Sequence, residues 1–153
     1  MLDRLRALFG RSDPAPAGPN PMRLAVGALL VEAARADEIY ETREKRLIDV
    51  ALADFFAMSA DAAEALRAEA ETVQSEAADL HRFTRIAKAL SPPDKIRLIE
   101  KLWTIVLSDD RRDPHEDAMI RRVCGLIYVS DPDSAGARRR AANRLSAGGN
   151  SPT

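Results

Sequence analysis

Apolar positions recur along this chain at helical rather than alternating spacing. Leu24, Ala28 and Val31 stand at i, i+4 and i+7, and Leu47, Ile48, Ala51, Leu52, Phe55 and Phe56 form a second stripe of the same period. Ser59 is placed to cap a third, alanine-rich helix with Asp61 in its first turn, and Asp79 to Leu90 reads as a fourth, using Leu80, Phe83, Ile86, Ala87 and Leu90. Ser91-Pro92-Pro93 ends that helix and opens the next, since proline is tolerated in a first turn and nowhere further in. The fifth segment, Asp94 to about Leu107, is the most hydrophobic and is expected at the centre of the core. Its Ile96, Ile99, Trp103 and Val106 share one face, which Leu98, Leu102 and Ile105 widen. Asp113-Pro114-His115-Glu116 combines a capping acid, a proline and a third-position Glu, which starts a sixth helix running to about Tyr128. Asp131-Pro132 starts a seventh.

The ends read differently. Residues 1–10 place Leu2, Leu5, Leu8 and Phe9 on one side of a short helix, with Arg4, Arg6 and Arg11 around it. Residues 11–21 hold Pro14, Pro16, Pro19 and Pro21, the composition of an extended linker that uncouples the short helix from the rest of the chain. The globular part is expected over 22–145, and 146–153 as a flexible polar tail. Between Met22 and Ser91 no proline and only Gly27 interrupt the helical run. The class is therefore all-α, a single domain of about seven helices. Phe55, Phe56, Trp103, Ile127 and Tyr128 are predicted to share one core.

An offset of 72 positions, the distance from Leu47 to Met119, lays the second stripe on the sixth. Leu47, Ile48, Ala51, Leu52, Phe55 and Phe56 fall on Met119, Ile120, Val123, Cys124, Ile127 and Tyr128. Under the same offset Asp37, Glu41 and Glu44 fall on Asp109, Asp113 and Glu116, so each stripe is preceded by an acidic triple. Any two amphipathic helices share a period, but the acids in register point to two related halves.

On these residues, Leu29 to Asp37 and on to Glu44, and Leu102 to Asp109 and on to Glu116, the chain resembles the TerB tellurite-resistance family in its uncharacterised TerB-like branch. The resemblance covers about Met22 to Leu145. It implies an all-helical fold with pseudo-twofold related halves, an acidic cluster proposed to bind metal, and a link to tellurite or chemical stress. It implies no established enzyme activity. The family pattern departs here at Glu38 and Asp110, which stand where glycine is usual, and at Arg111 and Arg112, at and beside the aliphatic position that Ile39 fills in the first half.

Charge and composition narrow the function. The 23 Lys and Arg nearly balance the 24 Asp and Glu, leaving a net charge of -1, so no global field points to nucleic acid. No signal-peptide pattern and no apolar span of membrane length is present, which makes a soluble, cytoplasmic protein the expectation. No G-x-S-x-G, P-loop or G-x-G-x-x-G motif occurs, and Cys124 sits in an apolar stripe as a small core residue, so a non-enzymatic role is expected.

The remaining chemistry lies in the carboxylates. Spacing of i, i+4 and i+7 presents each triple on one side of a helix, and all-oxygen donors select hard cations, Ca²⁺ before Mg²⁺. The candidate metal ligands are Asp37, Glu41, Glu44, Asp109, Asp113 and Glu116. An EF-hand is excluded, because Ile39 or Arg111 would occupy its third position, and zinc lacks enough His or Cys beside His81 and His115. The competing reading is that these acids only cap helices or pair with Arg43 and Arg46, leaving a protein-protein adaptor without metal. A protein partner is expected in either case, with peripheral membrane contact through residues 1–10 as a further route. Arg138, Arg139, Arg140 and Arg144 read first as solvated surface.

Overall fold

The computed structural model describes residues 20–36, 40–77, 79–108 and 114–149, the side chains of 114–116 and 148–149 excepted. Among these residues there are seven helices: α1 (Pro21–Arg35), α2 (Thr42–Phe56), α3 (Ala60–Glu76), α4 (His81–Ala87), α5 (Pro92–Leu107), α6 (Pro114–Ile127) and α7 (Asp131–Gly149). The all-α class is thus the fold.

Side chains at the helix starts explain where most of them begin. Asn20 Oδ1 accepts the Met22 N–H at 2.7 Å with Pro21 as the first helical residue, so the helix opens on the last proline of the expected linker. Ser59 Oγ accepts from the Ala62 N–H at 3.1 Å, Ser91 Oγ from Asp94 at 3.3 Å and Ser130 Oγ from Asp133 at 3.2 Å. The fourth helix is shorter than the Asp79–Leu90 pattern predicts. Asp79 Oδ1 caps the His81 N–H at 2.8 Å, and residues 88–90 tighten into turns whose N–H groups reach back three or four positions. At the other end α7 runs on to Gly149, so the polar segment expected from Ser146 is helical over its first four residues.

The most enclosed element is α1, not the more hydrophobic α5. Helices α2 through α6 all pack on α1, and Ala25 to Val31 are buried around its whole circumference, whereas Leu24 of the predicted stripe is only half-buried. Gly27 permits this: a Cβ built there would lie 2.9 Å from the Ala70 Cβ of α3, so the two helices cross backbone to backbone. The α5 helix buries Leu98, Ile99, Leu102, Trp103, Ile105 and Val106 and forms the floor for α7.

One core residue is misplaced by the periodicity. Phe55, Trp103 and Ile127 are buried in one cluster and Phe56 packs at its edge, but Tyr128 is 74% exposed. The reason is the helix end. Tyr128 adopts a left-handed φ of 68°, which reverses the chain, and the Val129 N–H returns to the Cys124 carbonyl at 2.9 Å, so Val129 is buried in its stead. Helix α2 ends the same way, with Ala57 at φ 53° and the Met58 N–H on the Ala53 carbonyl at 3.1 Å.

Neither position carries the glycine such an end prefers, and a left-handed L-residue costs roughly 1–2 kcal/mol. Tyr128→Gly, which loses no packed side chain, is expected to raise stability by about 1 kcal/mol in urea titration. A lowered stability would mean that the exposed ring contributes more than its backbone costs.

Candidate functional site

The first acidic triple leads into α2, and its described members serve the helix start. Glu41 and Glu44 form a reciprocal capping box, with Glu44 Oε1 accepting the Glu41 N–H at 3.0 Å. Glu44 is buried, and Arg43 Nη2 lies 3.6 Å from its other oxygen, Oε2. Asp37, Asp109 and Asp113 lie outside the described residues, and of Glu116 only the helical backbone belongs to them. Among the described residues no group of three His, Cys, Asp or Glu side chains is placed to hold a metal ion.

Beside the first triple lies a polar network that periodicity does not reveal. The Tyr40 hydroxyl donates to Glu71 Oε2 at 2.5 Å, Arg67 Nη1 donates to the same oxygen at 2.9 Å, and Arg67 Nε reaches Asp49 Oδ1 at 2.6 Å. Arg35 lies over the Tyr40 ring at 4.8 Å and donates to Gln74 Oε1 at 2.5 Å, and Gln74 in turn donates to Glu32 at 2.7 Å. The set ties α1, α2 and α3 together at one end of the domain. Burial and then the hydrogen bond to Glu71 and its charge push the Tyr40 phenol well above its usual range. Burial pushes the Glu71 carboxyl upward, but the hydrogen bonds from Tyr40 and Arg67 outweigh it and hold Glu71 below the usual carboxylate range. The one sequence signal was Arg67 itself, the single base in an α3 helix that carries Glu64, Glu69, Glu71 and Glu76.

A cleft of about 380 Å³ opens at this end, with Glu32, Gln74, Asp79 and Arg122 around a floor that includes Phe83 and Met119. It spans the last turns of α1 and α3, the start of α4 and the first half of α6, and of these the end of α1 leads into 37–39 and the start of α6 follows 109–113 in the chain.

Elsewhere the candidates resolve into packing. Cys124 is buried, and burial pushes its thiol up, while Trp103 Nε1 donates to Ser134 Oγ at 3.1 Å. Three arginines of α7 are engaged within the fold rather than merely solvated. Arg140 Nε bonds the buried Glu100 Oε1 at 2.9 Å, Arg144 lies 2.5 Å from Glu100 Oε2 without hydrogen-bond geometry, and Arg138 covers the Trp103 ring at 5.3 Å. No helix among the described residues is long and apolar enough to cross a membrane.

The family model described as tellurite resistance protein TerB matches residues 23–139. No curated protein and no solved structure matches the chain.

Proposed function

We propose that this chain, which belongs to the TerB tellurite-resistance family, is a non-enzymatic cytoplasmic module that binds a divalent cation through its two acidic segments, in the response to tellurite or related chemical stress. The observation that carries the reading is the equivalence of the two helices behind those segments. Helices α2 and α6 begin at Thr42 and Pro114, positions related by the same offset as their stripes, and Ile48, Ala51, Leu52 and Phe55 are buried at positions that correspond to the buried Ile120, Val123, Cys124 and Ile127. Both close on a left-handed residue. This match of helix start, buried stripe and closing residue is what supports relating the two acidic segments to one site.

Asp37, Glu44, Asp109 and Glu116 are the ligands proposed first, with Glu41 and Asp113 joining them or capping. The donor set is all carboxylate, which suits a hard cation, Ca²⁺ before Mg²⁺. Glu44 fits as a contributor, since the cap occupies Oε1, and among the described residues Oε2 meets Arg43 Nη2 at 3.6 Å. A bound cation would neutralise like charges that otherwise repel across the acidic segments. The capping box on Glu41 and Glu44 favours a second reading, an adaptor whose acids only start helices and whose partner is another protein.

Calorimetric titration of chelator-treated full chain separates the two. Ca²⁺ is expected to give saturable heat and to raise the thermal midpoint, by about 2.7 kcal/mol of added stability at a hundredfold excess over Kd. The Asp37→Asn/Asp109→Asn pair is expected to abolish both while leaving the far-UV spectrum unchanged. If neither Ca²⁺ nor Mg²⁺ gives heat or shifts the midpoint at millimolar concentration, the metal reading is lost and the adaptor stands.

A further inference from the structure

Helices α4 and α6 pack side by side, and each carries a basic stretch, bounded by Asp79 and Asp94 around α4 and by Asp117 and Asp131 along α6. The stretch 80–93 contains Arg82, Arg85 and Lys88 with no Asp or Glu, and 118–130 contains Arg121 and Arg122 with none. Five cations in two adjoining segments contrast with a net charge of -1 for the whole protein. Arg82 and Arg85 on α4 and Lys88 just past its end follow one another at i+3, all three exposed, and Arg122 is exposed on α6. None of these four is in an ion pair among the described residues, whereas Arg67, Arg97, Lys101, Arg140 and Arg144 each hold a carboxylate. Arg122 shares its cleft with Glu32 and Asp79, and Arg82, Arg85 and Lys88 carry positive charge that no ion pair among the described residues takes up.

At its edge stands Tyr128, exposed and in a left-handed conformation that nothing in the core requires of a tyrosine. Lys88 Nζ lies 5.5 Å and Lys95 Nζ 5.8 Å from its ring centroid, two ammonium groups on one ring.

We infer that this α4/α6 face docks on the anionic surface of a phospholipid membrane. A tyrosine flanked by lysines suits the headgroup level, where the ring finds an apolar side and the ammonium groups meet phosphate and carboxylate. A basic patch alone holds a protein weakly, so the attachment is reversible and salt-sensitive. The inference does not rest on cation binding, and its test is run in chelator so that the two stand or fall separately.

The full chain is sedimented with vesicles of phosphatidylcholine containing about one-third phosphatidylserine, and with pure phosphatidylcholine. Binding is expected to the anionic vesicles, to weaken steeply between about 0.05 and 0.5 M salt, and to be near absent on the neutral ones. Lys88→Glu/Lys95→Glu is expected to weaken it more than about tenfold, since each cation near such a surface is worth several-fold in affinity. Tyr128→Asn, which keeps a residue tolerant of the left-handed conformation, should weaken it a few-fold. The equal charge change Arg46→Glu/Arg139→Glu, at exposed cations outside this face, should have at most a twofold effect. Equal binding to neutral and anionic vesicles, no binding to either, or equal losses in the two double variants would each overturn the assignment. No binding to lipid together with capture by an acidic peptide would assign the face to a protein instead.

Discussion

Gly27→Leu is expected to be the most damaging single substitution in the domain, lowering stability by about 3 kcal/mol or more, at or above the upper end of what overpacking usually costs. Gly27 is buried on α1, and the atom that a new Cβ would meet, at 2.9 Å, is the Ala70 Cβ. That carbon is fixed to the α3 backbone and cannot rotate away. A leucine there must push two helices apart along the crossing that seats α1. Even Gly27→Ala should destabilise, although alanine gains about 1 kcal/mol over glycine in a helix interior. The decisive test is the exchange: Gly27→Ala/Ala70→Gly restores one methyl to the crossing and is expected to recover most of the loss, giving a large coupling in a double-mutant cycle. A Gly27→Ala midpoint at or above that of the unaltered chain would show that the helices separate at little cost.

Gly27 also shows what kind of information the chain carries on its surface. Its presence in a helical run is readable, but the partner that makes it necessary, Ala70, lies on another helix, and no local pattern names it. The stripes of α2 and α6, the capping serines at 59 and 91 and the prolines at helix starts were all legible because they are local rules. Tyr128 failed by one residue: the apolar period continued through it, but the chain had already turned, and only the geometry of a six-to-one return from Val129 could show that. The acidic triples were readable as a repeated pattern. Their role as a cap is visible at Glu41 and Glu44, where the box is made of two residues three apart. The network through Tyr40, Arg67 and Glu71 was not readable, because it joins residues 31 and 18 positions apart on three separate segments.

That network sets the second expectation. Arg67→Ala is expected to lower stability by about 2–4 kcal/mol, because it strips a cation from two partly buried carboxylates rather than removing a balanced pair. The Arg67 side chain is 11% exposed, and those of Asp49 and Glu71 are 22% and 21% exposed, so water only partly replaces what is lost. Tyr40 would still donate to Glu71, but a single neutral donor does not offset the desolvation of the carboxylate. The pH dependence separates this from a simple loss of packing. Glu71 is depressed in the fold below the ordinary glutamate value of 4.5, so the unfolded chain binds its proton more tightly than the native one does. Its contribution is therefore fully present above about pH 4.5 and is lost as the pH falls through the lowered native value. In the unaltered chain the thermal midpoint should fall over that acidic window. In Arg67→Ala the fall should be shallower, since the carboxyl no longer has a cation to lose, and the two curves should converge at low pH. Parallel curves, displaced by a constant amount from neutral to acid pH, would mean that Arg67 acts through its aliphatic stem. Arg67→Met, which keeps that stem without the charge, would then be expected to restore the midpoint. If the electrostatic account holds, Arg67→Met instead follows the alanine curve in its pH dependence.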